Sequence, residues 1–172
     1  MLGVWFDENL TFDYHTRKVK AKISSVLFSM RKAKNILSNN ALKTIYYALV
    51  HPHLLYCLPV YSCTSSKNIL MLSKKQKDCI RIISNANYNA HSQPLFYTLS
   101  ILPFEYLIKH QISLIMHSIF HRSSIISYEN HFRLKSEINP ITYSLRNENT
   151  ADFYVPRAVS YTHLRAHETH ID

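Results

Sequence analysis

The chain has 172 residues, one glycine, nearly half apolar side chains, and a formal charge of +9 with its eleven histidines neutral. That length is about one domain with a core of its own, and the scarcity of glycine favours helices over tight turns. The cationic excess predicts a polyanionic partner, nucleic acid or an anionic membrane surface. Cys57, Cys63 and Cys79 are odd in number and lack a CxxC spacing, which fits a reduced intracellular compartment and argues against a disulfide framework or a zinc site. Trp5-Phe6 runs at once into Asp7-Glu8, so no signal peptide is visible.

Residues 2–6 read as a short strand, and Asp7-Glu8-Asn9 as its turn. With no partner strand in the sequence, that strand is expected to belong to a sheet encoded upstream, the chain starting inside a longer protein. Asp13 stands where a helix cap can sit. From Val19 the apolar positions Val19, Ile23, Val26, Leu27, Met30, Ala33 and Leu37 keep a 3.6-residue period. The opposite side carries Arg17, Lys20, Ser24, Phe28 and Arg31, with Lys18 and Lys32 on its shoulder.

A second helix is predicted over residues 40–50, capped by Ser38 or Asn39 and ended or kinked at His51-Pro52-His53, since proline has no amide donor. Residues 45–61 are uncharged, but two prolines and two histidines there favour a buried pair of helices over a membrane span. A third long helix follows a cap at Ser65 or Ser66 and runs to about Ser84. It has Ile69, Leu72, Cys79, Ile80 and Ile83 on one face and Lys67, Lys74, Lys77 and Arg81 on the other.

Residues 85–89 read as a loop and 94–99 as a short helix. Pro103 opens a helix to about His121 that is expected to bury Phe104, Leu107, Ile108, Ile112, Ile115 and Ile119. After Arg122 the period is lost, and residues 123–158 read as an extended, weakly ordered tail. SYTHLRAHET, residues 160–169, resembles translated sequencing-adapter DNA, so everything from about Val159 is set apart from fold and function.

LGVWFD with its basic helix, then ALKTIYYALVHPHLLYCLPVY, LSKKQKDCIRIISNANYNAHSQPLF and ITYSLRNENTADFYVPRAV, resembles in order and spacing the back end of a non-LTR (LINE-type) retrotransposon reverse transcriptase. The likeness covers roughly residues 1–158. It implies that residues 1–12 close a palm subdomain and that residues 13–122 form an all-α thumb and connector bundle. It also implies a template–primer duplex of RNA or DNA as partner, beside the palm of the same polyprotein. The family's polymerases hold two Mg²⁺ ions on palm aspartates. No Asp-Asp pair occurs in this sequence, so no catalytic centre, metal or cofactor is expected in the chain itself.

The residues expected to touch nucleic acid are Arg17, Lys18, Lys20, Arg31, Lys32, Lys67, Lys74, Lys77 and Arg81. No acid interrupts the chain between Asp13 and Asp78, and intervening carboxylates would cancel the attraction to phosphates. Contacts of that kind go to the backbone and are independent of sequence. Phe28, within the basic stripe, is placed to stack on a base or to meet a neighbouring domain. His110, His117 and His121 share a helix side, yet without a third ligand they read as a polar face. Asp7, Glu8 and Asp13 have turn and cap roles. Two other readings remain: a free-standing basic helical module, and a peripheral membrane protein using the same amphipathic helices.

Overall fold

The computed structural model describes residues 3–121; Leu2 and the two tail segments, 123–158 and 159–172, lie outside the described residues. The chain divides into two compact units, Met1–Met116 and His117–Asp172, and of the second only residues 117–121 are described.

The first unit is helical. The Asp7 carboxylate accepts hydrogen bonds from the Thr11 amide and, at 2.7 Å, from its hydroxyl. Those bonds hold that carboxyl below its usual range and shape the turn that delivers the chain into α1 (Asp13–Ala33). Asp13 is therefore the first helical residue and not the cap. Buried Phe12, with φ 57°, takes the cap position. Asp13 in the first turn and Arg31 and Lys32 in the last match the helix dipole.

Val19, Ile23, Leu27 and Met30 are buried as their period predicts, with Val26 and Ala33 packed beside them. The helix stops at Ala33, short of Leu37, and both Ile36 and Leu37 donate to the Ala33 carbonyl. Ser38 then caps α2 (Asn39–Ile45), its hydroxyl accepting from Ala41 at 3.3 Å.

The helix does not end at His51-Pro52-His53, but its regular α pattern is disturbed just before that segment. The helix widens into a π turn (Tyr46–Val50), where His51 donates to the Tyr46 carbonyl five residues back, and continues as α3 (His51–Leu55). The extra residue shifts the hydrogen-bond register just ahead of Pro52, so the missing amide falls where the register changes. Cys57, with φ 54°, then turns the chain into α4 (Leu58–Tyr61). Leu54, Leu58 and Tyr61 are fully buried, and the Tyr61 hydroxyl donates to the Leu54 carbonyl. Among the described residues, no helix is long and apolar enough to cross a membrane.

Helix α5 (Ser66–Ile83) lies along α1, and α6 (Ser92–Leu99) packs on α5. Asn68 donates to Asp13 and, at 2.8 Å, to Thr64, while the Thr64 hydroxyl reaches the Thr11 carbonyl at 2.6 Å. These bonds bring the N-terminal ends of α1 and α5 together.

Helix α7 (Phe104–Phe120) is seated through its first turns. Buried Gln76 of α5 accepts from the Phe104 amide at 2.7 Å and donates to the Leu102 carbonyl and the Tyr46 hydroxyl, both at 2.9 Å. It caps α7 from another element, a position where Pro103 has no amide to offer. Phe104 and Leu107 are buried and Ile108 is half-buried, but Ile112 and Ile115 are exposed, contrary to expectation, as is Leu114. A helical period marks an apolar face; whether something covers it depends on the neighbours, and the first unit's core stops near Leu107.

Residues 3–6 form no strand among the described residues, because a strand requires a hydrogen-bonded neighbour. They instead lie on α1: the Trp5 ring meets Tyr14 edge-on at 6.2 Å, and Phe6 meets Phe12 at 5.7 Å.

Behind Trp5 lies His15, 2 % exposed, 4.8 Å from the Tyr61 ring and with no hydrogen-bond partner on either nitrogen among the described residues. Burial, with Lys22 adding repulsion, pushes its pKa below the usual 6.5. Above that value the imidazole is neutral whether the chain is folded or not. Below it the unfolded chain takes a proton that the folded one refuses, so stability falls as pH falls. Unfolding by urea should show lower stability at about pH 5.5 than at about pH 7, part of that loss coming from this group. His15→Phe should flatten that acid limb, and an unchanged limb would assign it to other groups.

Candidate nucleic-acid interface

Because α1 and α5 lie side by side, a groove of about 1330 Å³ runs between them. From α1 it is lined by Asp13, Arg17 and Lys20, one helical face at spacings of four and three. From α5 it takes Lys67, Lys74, Lys75, Lys77, Asp78 and Arg81, and Tyr88 and Asn89 close its far end.

Six of the nine residues expected to touch nucleic acid thus meet in one place: Arg17, Lys20, Lys67, Lys74, Lys77 and Arg81. Lys18, Arg31 and Lys32 do not line the groove. Lys18 sits over the Tyr14 ring at 5.1 Å, and Lys32 over Phe28 at 4.5 Å. Arg31 is exposed further along α1, near enough to α5 to act on the Cys79 thiol. Phe28, 59 % exposed, stays outside as well.

The two carboxylates in the groove are both engaged. Asp13 accepts from Asn68 and has Arg17 at 3.9 Å, while Asp78 holds Arg81 at 3.4 Å. The Arg17 pair is too exposed to contribute much stability. Seven cations against these two carboxylates leave the groove strongly positive.

Arg81 has a structural task in addition. Its Nε donates to the Ala90 carbonyl at 3.1 Å, and the Ala86 amide donates to the Arg81 carbonyl at 2.9 Å. With Asn85 at φ 50°, these bonds fold residues 85–90 back over the end of α5. That return sets Tyr88 at the rim, 77 % exposed and with no ring or hydrogen-bond partner among the described residues.

No family model, curated protein or solved structure matches this chain.

The groove offers cations, amides and one phenol ring, a chemistry of binding. Among the described residues no group of three or more His, Cys, Asp or Glu gathers to hold a metal ion. In the second unit the His117 and His121 rings lie 4.2 Å apart, tilted at 46° to each other. The three cysteines are free, and burial pushes the Cys79 thiol up to about 12, far from the reactive thiolate.

The groove is also lined by residues that sequence reasoning did not nominate for it, among them Leu70, Met71, Lys75, Tyr88 and Asn89. Lys75 stands about 80° round the helix from Lys67 and reaches the groove from its flank, so the face defined by Lys67 and Lys74 did not point to it. Tyr88 and Asn89 carried no signal, because their place depends on the Arg81 clamp and on a left-handed Asn85.

Proposed function

We propose that the chain is the thumb and connector part of a LINE-type RNA-directed DNA polymerase, and that it holds the template–primer duplex through phosphate contacts. The supporting observation is the convergence of α1 and α5 cations on one groove while the opposite faces of both helices enter the core. The outward cations Lys18, Arg31 and Lys32 extend that basic surface along α1. In this reading residues 3–6, with exposed Phe6, are the edge where the palm of the same polyprotein continues. The chain itself supplies grip, and the Mg²⁺ chemistry belongs to that palm.

A second reading has an observation of its own. The core extends from Phe12 to Leu107, with Val4 packed against it, so helices from residue 12 onward bury one another. That closure suits a free-standing basic helical module that binds nucleic acid with no polymerase around it.

Both readings require phosphate binding, and a salt titration tests it. A fluorescent template–primer should bind the full chain with log K falling linearly against log salt, with a slope of about −4 to −6 for five to six phosphate contacts. A flat dependence, or a preference for anionic vesicles over nucleic acid, would overturn the phosphate grip. Restoration of primer extension on adding a separately made palm would then favour the polymerase reading over the module.

A further inference from the structure

We propose that the groove between α1 and α5 also receives a single-stranded stretch of nucleic acid, with one unpaired base stacked on Tyr88. This rests on the nucleic-acid reading above and names which part of the ligand enters the groove.

The groove runs along α5 beside the first turns of α1 and is open to solvent on one side. Length is sufficient: from Lys67 to Arg81 the α5 wall rises about 20 Å. The lining then has the two components that strands bind without regard to sequence, a cationic track for the backbone and a π face for a base. Arg17, Lys20, Lys67, Lys74 and Lys77 make the track. Tyr88 makes the face.

Tyr88 is not a stray surface ring. The Arg81 guanidinium, itself held by Asp78, grips Ala90, and Ala90 donates back to Asn87 at 3.0 Å, so the loop presenting the ring is braced on both sides of it. With the loop backbone fixed, stacking has to order only the rotamers of the ring itself, two torsions. Asn89 beside it supplies an amide that can hydrogen-bond a base edge. Duplex nucleic acid presents no free base face along its length, so Tyr88 has no role toward it except at an end.

The test compares binding of the full chain to a labelled single strand and to a closed hairpin duplex of equal charge, followed by anisotropy. Tyr88→Ala should weaken single-strand binding by roughly 10-fold and hairpin binding by less than about 2-fold. Tyr88→Phe, which keeps the π face, should restore single-strand affinity to within about 2-fold. If Tyr88→Ala affects both ligands equally, or neither, while Lys74→Glu still weakens them, the stacking role is overturned and phosphate binding stands. If the unaltered chain binds neither ligand, the nucleic-acid reading falls and this inference with it.

Discussion

Reversing three groove charges, Lys67→Glu, Lys74→Glu and Lys77→Glu together, should reduce affinity for a template–primer carrying a single-stranded extension by at least about 100-fold near 0.1 M salt. Each lysine lost as a phosphate partner removes about 0.9 from the slope of log K against log salt, so the slope should flatten by two to three units, about half its value. The new carboxylates add repulsion in a groove where Asp13 and Asp78 already stand. Folding should be little affected. None of the three lysines enters the core, and a glutamate at position 67 sits favourably in the first turn of α5. A control, Lys34→Glu with Lys109→Glu, reverses two exposed lysines outside the groove, one fewer than the test variant, and should change affinity by less than about 3-fold. Equal losses per reversed charge in both variants would mean that total charge, not the groove, drives binding.

Gln76→Leu should lower stability by about 3 kcal/mol. Leucine nearly fills the space but leaves the Tyr46 hydroxyl and the Phe104 amide without partners in the interior, each costing about 1–3 kcal/mol. The Leu102 carbonyl, on a more exposed turn, can turn to water. Against a total of about 5–15 kcal/mol for a domain, this is a severe defect. Denaturant unfolding followed by circular dichroism measures it. Tyr46→Phe alone should cost about 1 kcal/mol, and the two changes together should cost less than their sum, because they remove one shared bond. Strict additivity would show that Gln76 and Tyr46 do not act on each other.

The long helices were legible. The periods of α1 and α5 place Val19, Ile23, Leu27, Met30, Leu72, Cys79, Ile80 and Ile83 in the core, and Ser38 marks the start of α2. The basic face of each helix was legible too. Their meeting was not, because periodicity orients a helix about its own axis and says nothing of which neighbour it faces. Pro52 marked a disturbed helix but not its form: the helix goes on, and the π turn before the proline moves the register. Ile112 and Ile115 misled: their spacing promised a buried face that the first unit does not supply. Gln76 offered no sequence signal, since a lone amide on a lysine-rich helix looks like surface. Burial made it the joint between α5, the π turn and α7.

Helix α5 serves as a shared wall. Lys74 and Lys77 stand on its groove side, and between them in sequence Gln76 points the other way, onto the start of α7. If a strand occupies the groove, α5 cannot unfold without releasing it, nor without releasing α7. Occupancy and cohesion become a single equilibrium. At a ligand concentration one hundred times the dissociation constant the fold gains about 2.7 kcal/mol. Amide protons in the first turn of α7, which touch nothing in the groove, should exchange more slowly whenever it is filled.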